Sequence, residues 1–335
     1  MLALVGFFFF FHATTLAVPA PVEVFPGPAK NNGVAPFGGR TTLSINVGQN
    51  ETVQPKLAED FPDPCVIQGD DGDWYAFATS GNGHKVQMAR ASDILGDWER
   101  LDQEAVNNSA WTTGRNFWAP DVRRLEDGSY IMYFSGEVPD ERKHCVGVAR
   151  SQNITGPYTL DEDPWECPLE EGGAIDPSGF RDPATGRTYV VYKVDGNAAG
   201  SGGDCGAVMP DVGGTPLMLQ EVSPEDGSLK IGDTVVILDR IGEEDGPLVE
   251  APNLVRAADG RYVLFYSAHC FTDPAYNVRY AWSDSVAGPY VRAPPLVQTP
   301  DFGFEGPGGM TSTTGRVEEG EDEVLLLHGR FMEAL

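Results

Sequence analysis

Short apolar runs rich in aromatic and β-branched residues recur along the chain, each entered through a turn: "GDWYAFATS" (72–80), "DGSYIMYFSG" (127–136), "GRTYVVYK" (186–193), "DGRYVLFYS" (259–267) and "DEVLLLHGR" (322–330). Runs of this length after Gly and Asp read as β-strands. Before each run comes a junction of an acid and a proline: "PDPCV" with Asp63, "WAPDV" with Asp121, "IDPSG" with Asp176, "EAPNL" with Glu250 and "EGPGG" with Glu305. After three of the runs comes a third pattern, "VQMARASDILGDW" (86–98), "VGVARSQNITGPY" (146–158) and "VRYAWSDSVAGPY" (278–290).

The three features recur in phase roughly every 55 residues, with one longer third unit. A sandwich or a long barrel also shows short strands, but does not require such a period. Four short strands per repeated unit predict an all-β fold, a five-bladed β-propeller of four-stranded antiparallel blades. Little chain follows Val324, so the last blade is expected to be incomplete. Either the segment "RTTLSINV" (40–47) closes the ring from the other end, or the sequence is truncated at its C-terminus.

Charge narrows the partners. Fifty acidic against 23 basic side chains give a net charge of -27, which repels phosphate backbones and anionic lipid surfaces. A neutral oligo- or polysaccharide fits better than nucleic acid or membrane, and the chain is read as a monomer. The opening "MLALVGFFFFFHATTLAVPA" has an apolar centre followed by small residues suited to cleavage after Ala17 or Ala20, which reads as a signal peptide (1–20) and a secreted, extracellular protein. An N-terminal segment (21–56) and the propeller domain (57–335) follow. Three sequons begin at Asn50, Asn107 and Asn153 and suit a glycoprotein.

Five cysteines in an exported chain allow two disulfides. The expected pairs are Cys145–Cys167 and Cys205–Cys270, the second tying down the Gly-rich insertion "DGNAAGSGGDCGAVMP" (195–210), with Cys65 left buried and free; spacing alone leaves other connectivities open.

The junctions fall where the innermost strands of a propeller begin, so their carboxylates converge on the central channel. Several acids near one axis have pKa values pushed apart, which is the requirement of glycoside hydrolysis. The ordered set "FPDPCVI", "NFWAPDV", "IDPSGF", "EAPNLV", "GPGG" and "HGR" resembles glycoside hydrolase family 43, the arabinanases, arabinofuranosidases and β-xylosidases, over about residues 57–331. The resemblance implies an inverting enzyme. In it Asp63 is the general base, Glu250 the general acid, and Asp176 the residue that orients the donor and modulates its pKa. It also suggests Trp118 as a stacking platform, Phe61 and His269 at the pocket rim, and Arg330 and His328 near the substrate. Asp121 and Glu305 match no catalytic position of the family and read as turn caps.

The chemistry requires no cofactor. Many relatives hold a central ion through a His after Gly-Pro-Gly, where this sequence has Gly309, so a structural calcium loses one of its usual ligands. The implied substrates are side chains of plant cell-wall hemicellulose or pectin, with an α-L-arabinofuranosidase or arabinanase of exo action first and a β-xylosidase second. A fructan hydrolase is disfavoured, because "WECP" (165–168) precedes "FRDP" (180–183), the reverse of that family's order; "FRDPATGR" reads as an interstrand turn. From another class, a non-catalytic carbohydrate-binding propeller has no need of a base and an acid on opposite sides of a sugar.

Overall fold

The computed structural model describes residues 9–13, 45–46, 56–57, 59–139, 142–199, 205, 214–257, 259–317 and 320–331. Asn50, the cleavage positions Ala17 and Ala20, most of the insertion 195–210 and the side chain of Arg330 lie outside the described residues.

Five four-stranded antiparallel sheets form the blades. Blade one is Cys65–Gln68, Trp74–Ala78, Gln87–Ala91 and Glu99–Leu101. Blade two is Phe117–Arg124, Tyr130–Glu137, His144–Ser151 and Thr159–Leu160. Blade three is Ala174–Arg181, Thr188–Val194, Leu217–Val222 and Lys230–Leu238. Blade four is Val249–Arg256, Tyr262–Ala268, Asn277–Ser283 and Val291–Arg292. Blade five pairs Phe304–Val317 with Gly320–Phe331, then takes Phe9–Ala13 and Ile45–Asn46 from the N-terminal part of the chain.

The last blade is therefore completed from the other end, and Ile45–Asn46 lies inside the segment 40–47 singled out for that role. Phe9–Ala13 lies inside the stretch read as a signal peptide, so cleavage after Ala17 or Ala20 would remove that strand from the sheet.

First strands of neighbouring blades touch all the way round, blade five meeting blade one. Apolar side chains fill the space between successive blades. Phe77 and Met88 meet Phe117, Met132 and Phe134 between blades one and two; Phe180, Tyr189 and Leu219 meet Leu254, Leu264 and Tyr266 between three and four. Blade five docks on blade four through Phe304 and Met310 against Val263, Phe265 and Tyr280.

The third sequence pattern has a local cause. Trp98 Nε1, Tyr158 Oη and Tyr290 Oη each donate to the carbonyl four residues back, that of Ile94, Ile154 and Val286, at 3.1, 2.8 and 2.9 Å. The aromatic that ends each pattern thus closes the loop that leads to the outermost strand. "FRDPATGR" is an interstrand turn, with the Asp182 N–H on the Arg187 carbonyl at 2.9 Å. Cys145–Cys167 and Cys205–Cys270 are disulfides, and Cys65 is free and buried.

Candidate active site

In or just before the first strand of each blade stands a residue in the left-handed region: Asp63 (φ 52), Ala119 (φ 41), Asp176 (φ 54), Ala251 (φ 50) and Gly309 (φ 55). Four of the five are not glycine, a conformation that costs of order 1–3 kcal/mol each and persists only where its surroundings enforce it. These residues and the two after each line one narrow axial cavity of about 40 Å³, room for a little water but not for a sugar. A substrate must therefore sit at the mouth.

The shared conformation corrects the register read from the sequence. The true equivalents of Asp63 and Asp176 are Ala119, Ala251 and Gly309, not Asp121, Glu250 and Glu305. Glu250 stands one residue earlier, paired with Ser267 before the bulge, where blade two has Trp118 opposite Ser135 and blade three has Ile175 opposite Lys193. Asp121, read as a turn cap, instead links two blades: it is buried, grips Arg123 through two hydrogen bonds of 2.8 Å, and accepts the N–H of Gly179 in blade three at 2.7 Å.

The left-handed turn aims each backbone N–H at the second strand of the preceding blade. Ala119 donates to Thr79 Oγ1 (2.9 Å), Asp176 to Ser135 Oγ (2.9 Å), Gly309 to Ser267 Oγ (3.0 Å), and Asp63 to His328 Nδ1 (3.0 Å), which closes the ring from blade five to blade one. Blade three differs. Its residue at this place is Lys193, which carries three donors and no acceptor. The Ala251 N–H goes instead to Asp176 Oδ2 at 2.9 Å.

Lys193 is fully buried and bridges carboxylates, with Nζ 3.1 Å from Glu250 Oε2 and 2.9 Å from Asp195 Oδ1. Tyr276, also buried, donates its hydroxyl to Glu250 Oε1 at 2.9 Å. Asp63 Oδ2 accepts from Thr79 Oγ1 at 2.7 Å. Burial, then the charge of Glu250, raises the Asp176 pKa well above the carboxylate range, against the opposing pull of Lys193. Burial acts to discharge Lys193, but Asp195, Glu250 and Asp176 more than offset it and hold the ammonium charged. Burial and the carboxylates of Glu250 and Asp63 likewise raise the Tyr276 pKa and keep its hydroxyl protonated.

The predicted catalytic acids, Asp63, Asp176 and Glu250, thus meet at the axis from blades one, three and four. His328 joins them, buried beside Asp63. Trp118 is half-buried and stacks on His144 at 3.5 Å between ring centroids; burial lowers the His144 pKa to about 4, so its ring is neutral. His269 is half-exposed and adjoins the Cys270 disulfide. Phe61 is not at the rim: it is wholly buried among Leu57, Val66, Trp74 and Trp98, where an apolar ring next to the Asp63 turn packs blade one. Sequence reasoning missed Lys193, Tyr276, Thr79 and Ser135. For Lys193, Thr79 and Ser135 the signal was their place at the end of an apolar run; Tyr276, in the loop before Asn277–Ser283, carried none.

A central calcium fits these residues poorly. Gly309 offers no side chain, and a Cβ there would lie 2.5 Å from both Asp63 Oδ1 and His328 Cε1. Because His328 Nδ1 accepts the Asp63 N–H, the neutral ring carries its proton on Nε2, which leaves no free lone pair for a cation. Among the described residues no group of three His, Cys, Asp or Glu could hold a metal.

Fold and site together define a propeller with acidic groups converging at one end of its axis. The chain belongs to the glycosyl hydrolases family 43, whose sequence profile matches residues 52–330. It is 25% identical over 261 residues to the extracellular endo-α-(1→5)-L-arabinanase 2 of Bacillus subtilis, covering 69% of this chain and 50% of that protein. It is 28% identical over 250 residues to the β-D-galactofuranosidase xynD of Aspergillus niger, covering 68% and 60%. The chain thus spans half to three-fifths of the length of these two relatives. Among solved structures, an α-L-arabinofuranosidase from Lactobacillus brevis superposes with a TM-score of 0.65 at 18% identity, covering 82% of this chain and 85% of that one.

Proposed function

We propose that the protein is a secreted, inverting glycoside hydrolase that removes terminal α-L-arabinofuranosyl units from arabinan or arabinose-bearing side chains. The observation that carries this is the meeting of Asp63, Asp176 and Glu250 at the axial mouth, with one carboxyl held protonated by burial and its neighbour's charge. Two relatives support a furanoside substrate. A (1→5)-linked arabinose has its O5 engaged and closes its ring through O4, a furanose, and the second relative is named for galactofuranose.

In this reading Glu250 protonates the leaving oxygen as the C1–O bond breaks. Asp63 takes the proton of the water that attacks C1 from the opposite face, and Asp176 orients Glu250. This chemistry requires no cofactor. Exo action is proposed from the Cys205–Cys270 bridge, which ties Cys205 of the third-blade insertion to the residue after His269. Secretion is supported by the two disulfides, which persist in oxidising compartments.

The test is sugar release from arabinan, arabinoxylan, xylo-oligosaccharides and galactan. Wild type should release arabinose with inversion, and Glu250→Gln should lose about 10²–10⁴-fold in kcat on natural linkages, the usual worth of general acid catalysis. Xylose as the main product would replace the reading with a β-xylosidase; glycan binding without turnover would replace it with a carbohydrate-binding propeller.

A further inference from the structure

We propose that Lys193 is a positioning residue that fixes which oxygen of Glu250 carries the catalytic proton, a role that rests on the function proposed above. The ring of acceptors has one break. At one place on the second strand, blades one, two, four and five present an acceptor, Thr79, Ser135, Ser267 and His328, to the N–H of the next blade. Blade three presents a buried ammonium, which cannot accept. A seam that serves the fold everywhere else is surrendered here, and the side chain reaches a carboxylate of the next blade.

Two consequences follow for protons. Glu250 Oε2 faces Lys193 Nζ at 3.1 Å, and an oxygen held by a donor-only group is not where a proton can sit. Glu250 Oε1 faces the hydroxyl of Tyr276 at 2.9 Å, which donates to a carboxylate and turns to accept from a carboxylic acid. The proton therefore resides on Oε1. By the same logic, Asp176 Oδ2 accepts the Ala251 N–H that the lysine cannot take, so the proton of Asp176 resides on Oδ1.

In the chemical step the proton passes from Oε1 to the glycosidic oxygen while the electron pair of the C1–O bond moves to that oxygen. Glu250 is left as a carboxylate. Its attraction to Lys193 is strongest at that moment, in a site with little water, so the lysine stabilises the charge that develops on the acid. Asp195 is the lysine's second anchor, at 2.9 Å, and keeps Nζ from following Glu250 when the latter is neutral.

The experiment compares wild type with Lys193→Met, Lys193→Arg and Tyr276→Phe on an arabino-oligosaccharide and on 4-nitrophenyl α-L-arabinofuranoside, whose good leaving group needs little acid catalysis. Lys193→Met should lose about 10²–10³-fold in kcat/KM on the oligosaccharide, within the range of an acid catalyst's contribution, and far less on the nitrophenyl glycoside. A cation favours the ionised carboxyl, so its removal should carry the alkaline limb of the pH–rate profile to higher pH. Lys193→Arg should recover the limb and part of the rate. Equal losses on both substrates with an unmoved limb would overturn the proposal and leave Lys193 a structural residue. Should Lys193→Met not fold, the Arg and Phe variants decide: Tyr276→Phe, with no group to accept the Oε1 proton, should also lose selectively on the oligosaccharide, and a uniform loss overturns the proposal. A wild type silent on every glycoside would sink the function proposed above, not this assignment. Carboxyl-carbon NMR then decides the latter, since the Asp176 titration moves upward in Lys193→Met or the lysine does not act on the site.

Discussion

Blade three and the other four blades solve one problem in opposite ways. A left-handed residue at the head of each first strand points its N–H at the neighbouring blade. Four times it meets an oxygen or a ring nitrogen on the second strand or at its end, and once the residue at that place is a lysine, which cannot accept it. The four acceptors make a seam that closes a ring of repeats. The lysine opens the seam, and the displaced N–H is taken by a carboxyl, Asp176 Oδ2. The difference teaches that the site is the ring's own stapling pattern with one polarity reversed.

The largest expected effect on stability follows from the carboxyl drawn into that exception. Asp176 has a folded pKa raised well above its unfolded value, chiefly by burial and then by Glu250. Its protonation therefore adds stability that is fully present below the unfolded pKa of about 3.9 and is lost as pH rises through the folded value. Asp176→Asn should match wild type in urea melts near pH 4 and become progressively more stable above it, by at most about 1.4 kcal/mol per pH unit. The amide oxygen still receives the Ala251 N–H, so packing is kept while activity falls. Parallel stability curves for the two proteins from pH 4 to 8 would mean that the Asp176 charge is not resisted by its site.

How much of this was legible in the sequence depends on whether a residue's role is local. Asp63 and Asp176 stand directly before proline in a turn, and Glu250 stands two before one, so one-dimensional spacing finds all three acids. The same spacing misplaces blades two, four and five. Asp121 also touches a proline but sits two residues past the turn, Glu250 sits one before it, and the geometry that defines equivalence is a φ angle carried by Ala119, Ala251 and Gly309. Lys193 closes the run "TYVVYK" and looks like any strand-end lysine. Its meaning comes from partners 57 residues on, at Glu250, and two on, at Asp195. Phe61 erred in the other direction: adjacency to the acidic turn suggested the rim, but the chain turns its ring into the core of blade one.

Smaller effects should come from the four ordinary blades. Ser267→Ala leaves the buried Gly309 N–H without its acceptor, and a buried donor so orphaned costs about 1–3 kcal/mol. Ser135→Ala does the same to the Asp176 N–H. Both should lower the denaturant midpoint at constant slope. Ser135→Ala should keep the shape of the pH–rate profile, because its hydroxyl meets the backbone of Asp176, whereas the Ser267 hydroxyl also bonds Tyr276, the partner of Glu250. A Ser135 variant with an altered profile and an unchanged midpoint would reverse the division between seam and site.

The smallest expected effect is none at all, at the point where blade five closes on blade one. The family resemblance implies an ion held there by a His after Gly-Pro-Gly. Here that place is Gly309, and the space a side chain would fill is occupied by Asp63 and His328. His328 spends its Nδ1 lone pair on the Asp63 N–H at 3.0 Å, and the neutral ring is then left with Nε2–H, a donor. An imidazole in that state repels a cation and serves as the last staple of the ring. Dialysis against a chelator should leave both the melting temperature and the rate of arabinose release unchanged, and added calcium should raise neither. His328→Asn, whose side-chain oxygen can accept the same N–H, should be milder than His328→Ala. A melting temperature that falls on chelation and returns with calcium would show that blade five closes through a metal, and that His328 turns its lone pair away from Asp63.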